Sequence, residues 1–274
     1  MPSVGPQLPI QTLDPPIRGL ILDVDGVLWK DAEPIGDLSA AFSVIRALGL
    51  QVCIATNNAM NSIEHYRLKL KAFGVAVDGA QIITSAEATA DTLLAAFPGR
   101  GTVFLVGEVG VERALEERGF QVVTDPTTEA SFDAVVAGID RDLSYARLQK
   151  ASTLIRAGAP YYGTNPDPTF PTPAGLVPGA GAILAAISTA SGMLPTVVGK
   201  PSPLLFETAA RRMSLAAGEL LVVGDRLETD IKGGQVFGAR TAVVLSGVSN
   251  QYDVAAWKPA PTIVAPNLGA LLGL

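Results

Sequence analysis

The chain has 274 residues, 48% of them hydrophobic and 17% charged, a globular composition with length for one large α/β domain or two smaller ones. Its formal charge of −6, with no Lys/Arg run denser than the pair Arg211-Arg212, argues against nucleic acid or an anionic membrane as a partner. The lone cysteine, Cys53, rules out an intramolecular disulfide framework and suits a cytoplasmic protein.

Residues 1–16 are punctuated by prolines and have neither a basic start nor an apolar core, so they read as a loose N-terminal extension and not as a signal peptide. Beyond them, short β-branched runs alternate with amphipathic segments, the pattern of βαβ units around a parallel sheet. In chain order the spacing predicts a strand at 19–22, a helix at 39–48, a strand at 51–55 and helices at 63–73 and 86–97. A strand at 102–106, a helix at 109–118, a strand at 134–137 and helices at 145–157, 181–191 and 203–213 follow. The last elements are a strand at 220–223, a helix at 229–236 and a strand at 241–245. Glycines 49, 74, 119, 158 and 238 stand just past helix ends, where a left-handed cap favours them. The apolar stretch 180–190 is too short for a membrane span.

Open α/β sheets bind ligands at the C-terminal ends of their strands. In Leu20-Ile21-Leu22-Asp23-Val24-Asp25-Gly26 an apolar strand runs into two carboxylates one residue apart, which converge on one face if the strand continues. Like charges so close need a cation or a shared proton, although solvated turn aspartates before a glycine are an alternative. A calcium-loop reading fails, because Gly26 falls at the fourth position and not the sixth. Thr56-Asn57-Asn58 after the second strand offers a hydroxyl and backbone N–H groups for phosphate oxygens, or simply a helix cap. Lys200, between Gly199 and Pro201 at the opening of a helix, is placed to neutralise a carboxylate and a phosphoryl oxygen, or is an exposed loop lysine. Val223-Gly224-Asp225 and the following Asp230 put two more carboxylates at a strand end, suited to Mg²⁺ or to capping a helix. Cys53 lies inside an apolar strand and reads as core; His65, the only histidine, sits on a helix away from these segments. The segment 107–119 lacks the glycine spacing of a dinucleotide site.

In order and placement the four segments resemble the four motifs of the haloacid dehalogenase-like hydrolase superfamily, over nearly the whole chain beyond Pro16. Asp23 and Thr56 are too close in sequence for a large insertion between them, whereas the stretch between Thr56 and Lys200 holds strands and helices of its own. Within that stretch, Gly163-Thr164-Asn165-Pro166-Asp167, Pro171, Gly175 and Pro178-Gly179-Ala180-Gly181 resemble the cap signature of the p-nitrophenyl phosphatase-like subgroup. The resemblance implies an α/β fold: a Rossmann-like parallel-sheet core at 17–98 and 195–274, with an inserted α/β cap domain at 99–194.

The resemblance further implies a phosphatase for small-metabolite phosphomonoesters. Asp23 would be the nucleophile and carry an aspartyl phosphate, and Asp25 the acid and base. Thr56, Asn57 (through its N–H) and Lys200 would hold the phosphoryl group. The Asp23 carboxylate, the Asp25 carbonyl and Asp225 would bind Mg²⁺, with Asp230 anchoring its waters. Asn165 and Asp167 are the cap residues expected to touch substrate, or to form a turn. Homodimerisation through the cap is a family-level expectation. A phosphotransferase or phosphomutase with the same intermediate, and a non-catalytic binder of phosphorylated metabolites, are the alternatives. A receiver-like signalling module would be about half this length.

Overall fold

The computed structural model describes residues 9–172 and 175–274; residues 1–8 of the N-terminal extension lie outside the described residues. The chain forms two compact units. One comprises the chain up to Thr56, Ile63–Ile83 and Pro201–Leu274; the other comprises Asn57–Ser62 and Thr84–Lys200. Each is built on its own parallel sheet, a Rossmann-like core and an inserted α/β cap.

The core sheet has six strands in the spatial order Ile263–Ala265, Arg240–Val244, Leu220–Gly224, Gly19–Leu22, Gln51–Thr56, Ile82–Thr84. Gly19–Leu22 is buried along its whole length, as a strand covered by helices on both faces must be, and every one of its residues is apolar or glycine. It pairs in parallel with Leu220–Gly224 on one side and Gln51–Thr56 on the other. The register sets Leu22 beside both Val223 and Ile54, so the chain leaves all three strands at one edge. Ile10, in a short helical turn at Pro9–Thr12, is buried in the same apolar cluster, so this part of the extension packs on the core.

The cap sheet has five strands in the order Thr196–Val197, Tyr161–Gly163, Ala134–Ala137, Thr102–Val106, Gln121–Val123, all paired in parallel. Its two faces bury separate clusters, one around Leu93, Val103 and Leu115 and one around Phe104, Ile155 and Ile187.

The helices begin where the sequence supplies caps. Asp37, Thr84, Ser144 and Ser202 each accept a backbone N–H with the side chain at a helix start, and Pro203 follows Ser202 where its missing N–H costs nothing. All five glycines singled out as helix stops have positive φ. The expected helix at 229–236 differs: a wide π-turn at Leu227–Ile231 precedes an α-helix at Lys232–Phe237. The Asp230 side chain turns back there to the Arg226 N–H, a demand that an amphipathic pattern does not encode.

Candidate active site

Asp23 is the first residue past Gly19–Leu22, and its N–H donates to the Val223 carbonyl of the neighbouring strand at 2.9 Å. That bond draws the two strand exits together. Asp23, Asp225 and Asp230 thereby come to share one place, each offering a carboxylate oxygen within 4.8 Å of the others'. Asp225 and Asp230 are buried to 2% and 1% exposure, whereas Asp23 is half-buried.

Hydrogen bonds hold the two buried acids. Asp225 Oδ2 accepts the Val248 N–H at 2.8 Å, and the Asp225 carbonyl accepts the Ser249 N–H at 3.0 Å. Asp230 Oδ2 accepts from the Arg226 N–H at 3.2 Å and the Thr229 hydroxyl at 3.3 Å. Glycines make room: a Cβ at Gly26 or Gly247 would collide with the Asp225 carboxylate, and one at Gly224 with the Asp230 side chain. Three acids, two of them buried and orientated by donors, form a hard-oxygen site that fits a divalent cation such as Mg²⁺.

Asp25 lies outside this carboxylate cluster and is exposed. Its segment is fixed through the backbone: the Leu28 N–H donates to Val24 O at 2.9 Å and the Gly26 N–H to Trp29 O at 2.8 Å. The Ser246 hydroxyl donates to Gly26 O at 2.6 Å. The Ser246–Ser249 loop, missed in the sequence, thus steadies both the turn after Asp25 and the side chain of Asp225. It works mainly through N–H groups that every non-proline residue carries, so only Gly247 offered a hint.

Thr56, buried to 3% exposure, ends the strand Gln51–Thr56. The chain then enters the cap unit at Asn57 and leaves it after Lys200, and these two residues are joined there. Asn57 Oδ1 accepts the Lys200 N–H at 2.8 Å, while Asn57 Nδ2 donates to Lys200 O at 2.9 Å and to Asp167 Oδ2 at 3.1 Å. The Asn57 carbonyl accepts from the Ser85 hydroxyl at 2.6 Å and from Asn165 Nδ2 at 3.0 Å. Asn165 Oδ1 in turn accepts the Asp167 N–H at 3.2 Å. The two cap residues singled out in the sequence therefore meet Asn57, and through it the backbone of Lys200, which is buried to 3% exposure. Ser85 is a further member that the sequence did not reveal. His65 stands on the helix Ile63–Ala72 with its ring edge-on to Tyr66 at 5.6 Å.

The family model for haloacid dehalogenase-like hydrolases matches residues 20–121, and a HAD-hydrolase-like model matches residues 197–271. The chain belongs to the haloacid dehalogenase-like hydrolase family. It is 35% identical to a D-glycerol 3-phosphate phosphatase of Mycobacterium tuberculosis over 92% of this chain and 70% of that one. A p-nitrophenyl phosphatase from Archaeoglobus fulgidus superposes with a TM-score of 0.86 at 30% identity, covering 93% of this chain and 98% of that one. A glycerol phosphate phosphatase of M. tuberculosis in complex with magnesium also superposes with a TM-score of 0.86, at 33% identity over 97% of this chain and 78% of that one. Within the family the chain is a phosphomonoester hydrolase of the p-nitrophenyl phosphatase-like group. Among the described residues no helix is long and apolar enough to cross a membrane.

Proposed function

We propose that this hydrolase is a magnesium-dependent phosphatase of small phosphorylated metabolites that works through an aspartyl phosphate on Asp23. The observation that carries the reading is the convergence of Asp23, Asp225 and Asp230 within 4.8 Å at the exits of two paired parallel strands. Such acids repel one another unless a cation lies among them. Asp23, the Asp25 carbonyl and Asp225 would hold Mg²⁺, with Asp230 anchoring its waters. When bound, the ion neutralises charge on the phosphoryl oxygens.

The chain's own residues then divide the work. An Asp23 carboxylate oxygen bonds to phosphorus while the bond to the ester oxygen breaks. Asp25 gives its proton to that leaving oxygen. In the second half, Asp25 takes a proton from water as the water oxygen attacks phosphorus, which frees Asp23 and releases inorganic phosphate. The Thr56 hydroxyl and the Asn57 N–H hold phosphoryl oxygens, and the Lys200 ammonium offsets their charge. Asn165 and Asp167 act through Asn57, with which their side chains are engaged. The likeness to a glycerol 3-phosphate phosphatase favours small polyol and sugar phosphates as substrates. Action in the cytoplasm and homodimerisation through the cap, the latter checked by light scattering, belong to the same reading.

The test is phosphate release from p-nitrophenyl phosphate, glycerol 3-phosphate, sugar phosphates, phosphoglycolate, pyridoxal phosphate and nucleotides, with Mg²⁺ and with EDTA. Magnesium-dependent release from at least one ester is expected. Full activity after exhaustive chelation would refute the metal role; transfer to an acceptor alcohol without net hydrolysis would favour the phosphotransferase.

A further inference from the structure

Immediately after Asp25 the chain forms a small hairpin, Trp29–Lys30 against Glu33–Pro34, turned by Asp31 in a left-handed conformation at φ +53°. The hairpin is coupled to the Asp25 segment through backbone: Asp25 bridges to Trp29, and the Gly26 N–H donates to Trp29 O. Its anchor is the buried Trp29 ring, stacked on Tyr66 at 6.2 Å and tilted against Phe73 at 6.0 Å.

Lys69, on the same helix as Tyr66, closes this arrangement with its ammonium. Nζ donates to the Asp31 carbonyl at 2.7 Å and lies 4.3 Å from the centroid of the Trp29 ring. One cation thus satisfies a turn carbonyl and sits on the ring that anchors the hairpin. Burial pulls the ammonium below the ordinary lysine value, and the Asp25 and Asp31 carboxylates act against that pull. The bonds of Lys69 thus go to the hairpin, whose Trp29 is bridged to Asp25.

We infer that Lys69 is a positioning residue for proton transfer to the leaving group: by clamping the Trp29–Asp31 hairpin it fixes where the Asp25 carboxyl is presented. The inference rests on the phosphatase reading above, in which Asp25 protonates the leaving oxygen. It carries a signature that loss of packing alone does not have. An alkoxide leaves poorly without a proton, whereas p-nitrophenolate leaves readily without one. A misplaced Asp25 therefore costs the alkyl ester far more than the aryl ester.

The experiment compares Lys69→Met, which keeps the stem over Trp29 and removes the charge, with Lys69→Arg and the unchanged protein. kcat/KM is measured for glycerol 3-phosphate and p-nitrophenyl phosphate with Mg²⁺, because it reports the step in which the leaving group departs. We expect Lys69→Met to lose about tenfold or more on the alkyl ester and less than about twofold on the aryl ester, a small share of the range that general acid catalysis spans. Lys69→Arg should restore most of the loss. Equal losses on both esters, or none on either, would overturn the inference while leaving the phosphatase standing. Where another alkyl ester of the panel above is the better substrate it takes the place of glycerol 3-phosphate; if the unchanged protein hydrolyses no ester of that panel, the parent reading falls and the inference with it. Should Lys69→Met not fold, Lys69→Leu, which likewise has no donor for Asp31 O, is read against the same outcomes.

Discussion

Three hydrogen bonds tie the Asn57 side chain to Lys200 and Asp167, and its replacement gives a sharp test. The direction of its amide is set by its neighbours: the Lys200 N–H can only donate, so Oδ1 faces it, and Nδ2 must face Lys200 O and Asp167 Oδ2. Asn57→Ala removes two hydrogen bonds to backbone and one to a carboxylate. At about 1 kcal/mol for each of the first and about 1.5–3 kcal/mol for the last, the loss is about 3.5–5 kcal/mol. At about 2–4 °C per kcal/mol for a chain of this size, that lowers the thermal midpoint by about 7–20 °C. Asn57→Asp is nearly isosteric, yet it sets a carboxylate oxygen against Lys200 O and the Asp167 carboxylate. At pH 7 it should destabilise at least as much as Asn57→Ala. Urea and thermal unfolding of the two variants beside the unchanged protein provide the assay. Wild-type stability in Asn57→Asp would refute the orientation and the clamp on Lys200 with it.

The other expectations concern the acids and the thiol. Asp23→Asn should lose all measurable turnover while keeping its circular dichroism spectrum and midpoint; wild-type turnover would remove Asp23 as nucleophile. Mg²⁺ at a hundredfold excess over its Kd should stabilise the protein by about 2.7 kcal/mol. Asp225→Asn should lose most of that shift in thermal denaturation, and an undiminished shift would take Asp225 out of the ligand set. Burial pushes the Cys53 thiol up to about 12 from an ordinary 9.0, with the Arg212 charge acting against it. Above pH 9 the unfolded thiol loses its proton before the native one, so this contribution to stability is intact below pH 9 and declines as the pH rises toward 12. Urea midpoints from pH 8 to 10.5 should therefore fall more steeply for the wild type than for Cys53→Ala, and parallel slopes would contradict the burial.

The strands with four or more apolar or glycine residues in succession were readable to within a residue, because burial on both faces leaves no room for polar ones. Gly19–Leu22, Thr102–Val106 and Ala134–Ala137 are of this kind. The two-residue strands Trp29–Lys30 and Thr196–Val197 carry too little pattern to stand out from loop. The carboxylates of the site were legible because acids at the ends of apolar strands are conspicuous. The hydrogen bonds that Asn57, Asn165 and Asp167 make with one another and with Lys200 were not. Turn-forming residues look alike in sequence whether they cap a helix, touch a ligand or hold a distant backbone, and Asn57 reaches Lys200 across the whole cap insertion. The π-turn before Lys232 was equally hidden, since it answers to the Asp230 side chain and not to a hydrophobic period.

The loop from Ser246 to Ser249 separates possession of the motifs from possession of the site. A chain cut after Leu245 would keep Asp23, Asp25, Thr56, Lys200, Asp225 and Asp230, and any search for the four motifs would score it as intact. It would lack the Val248 N–H on the Asp225 carboxylate, the Ser249 N–H on the Asp225 carbonyl and the Ser246 hydroxyl on Gly26. The braces on Asp225 and on the turn after Asp25 therefore arrive late in synthesis, as the last fifth of the core's sequence begins to emerge and long after Asp25 itself has been made.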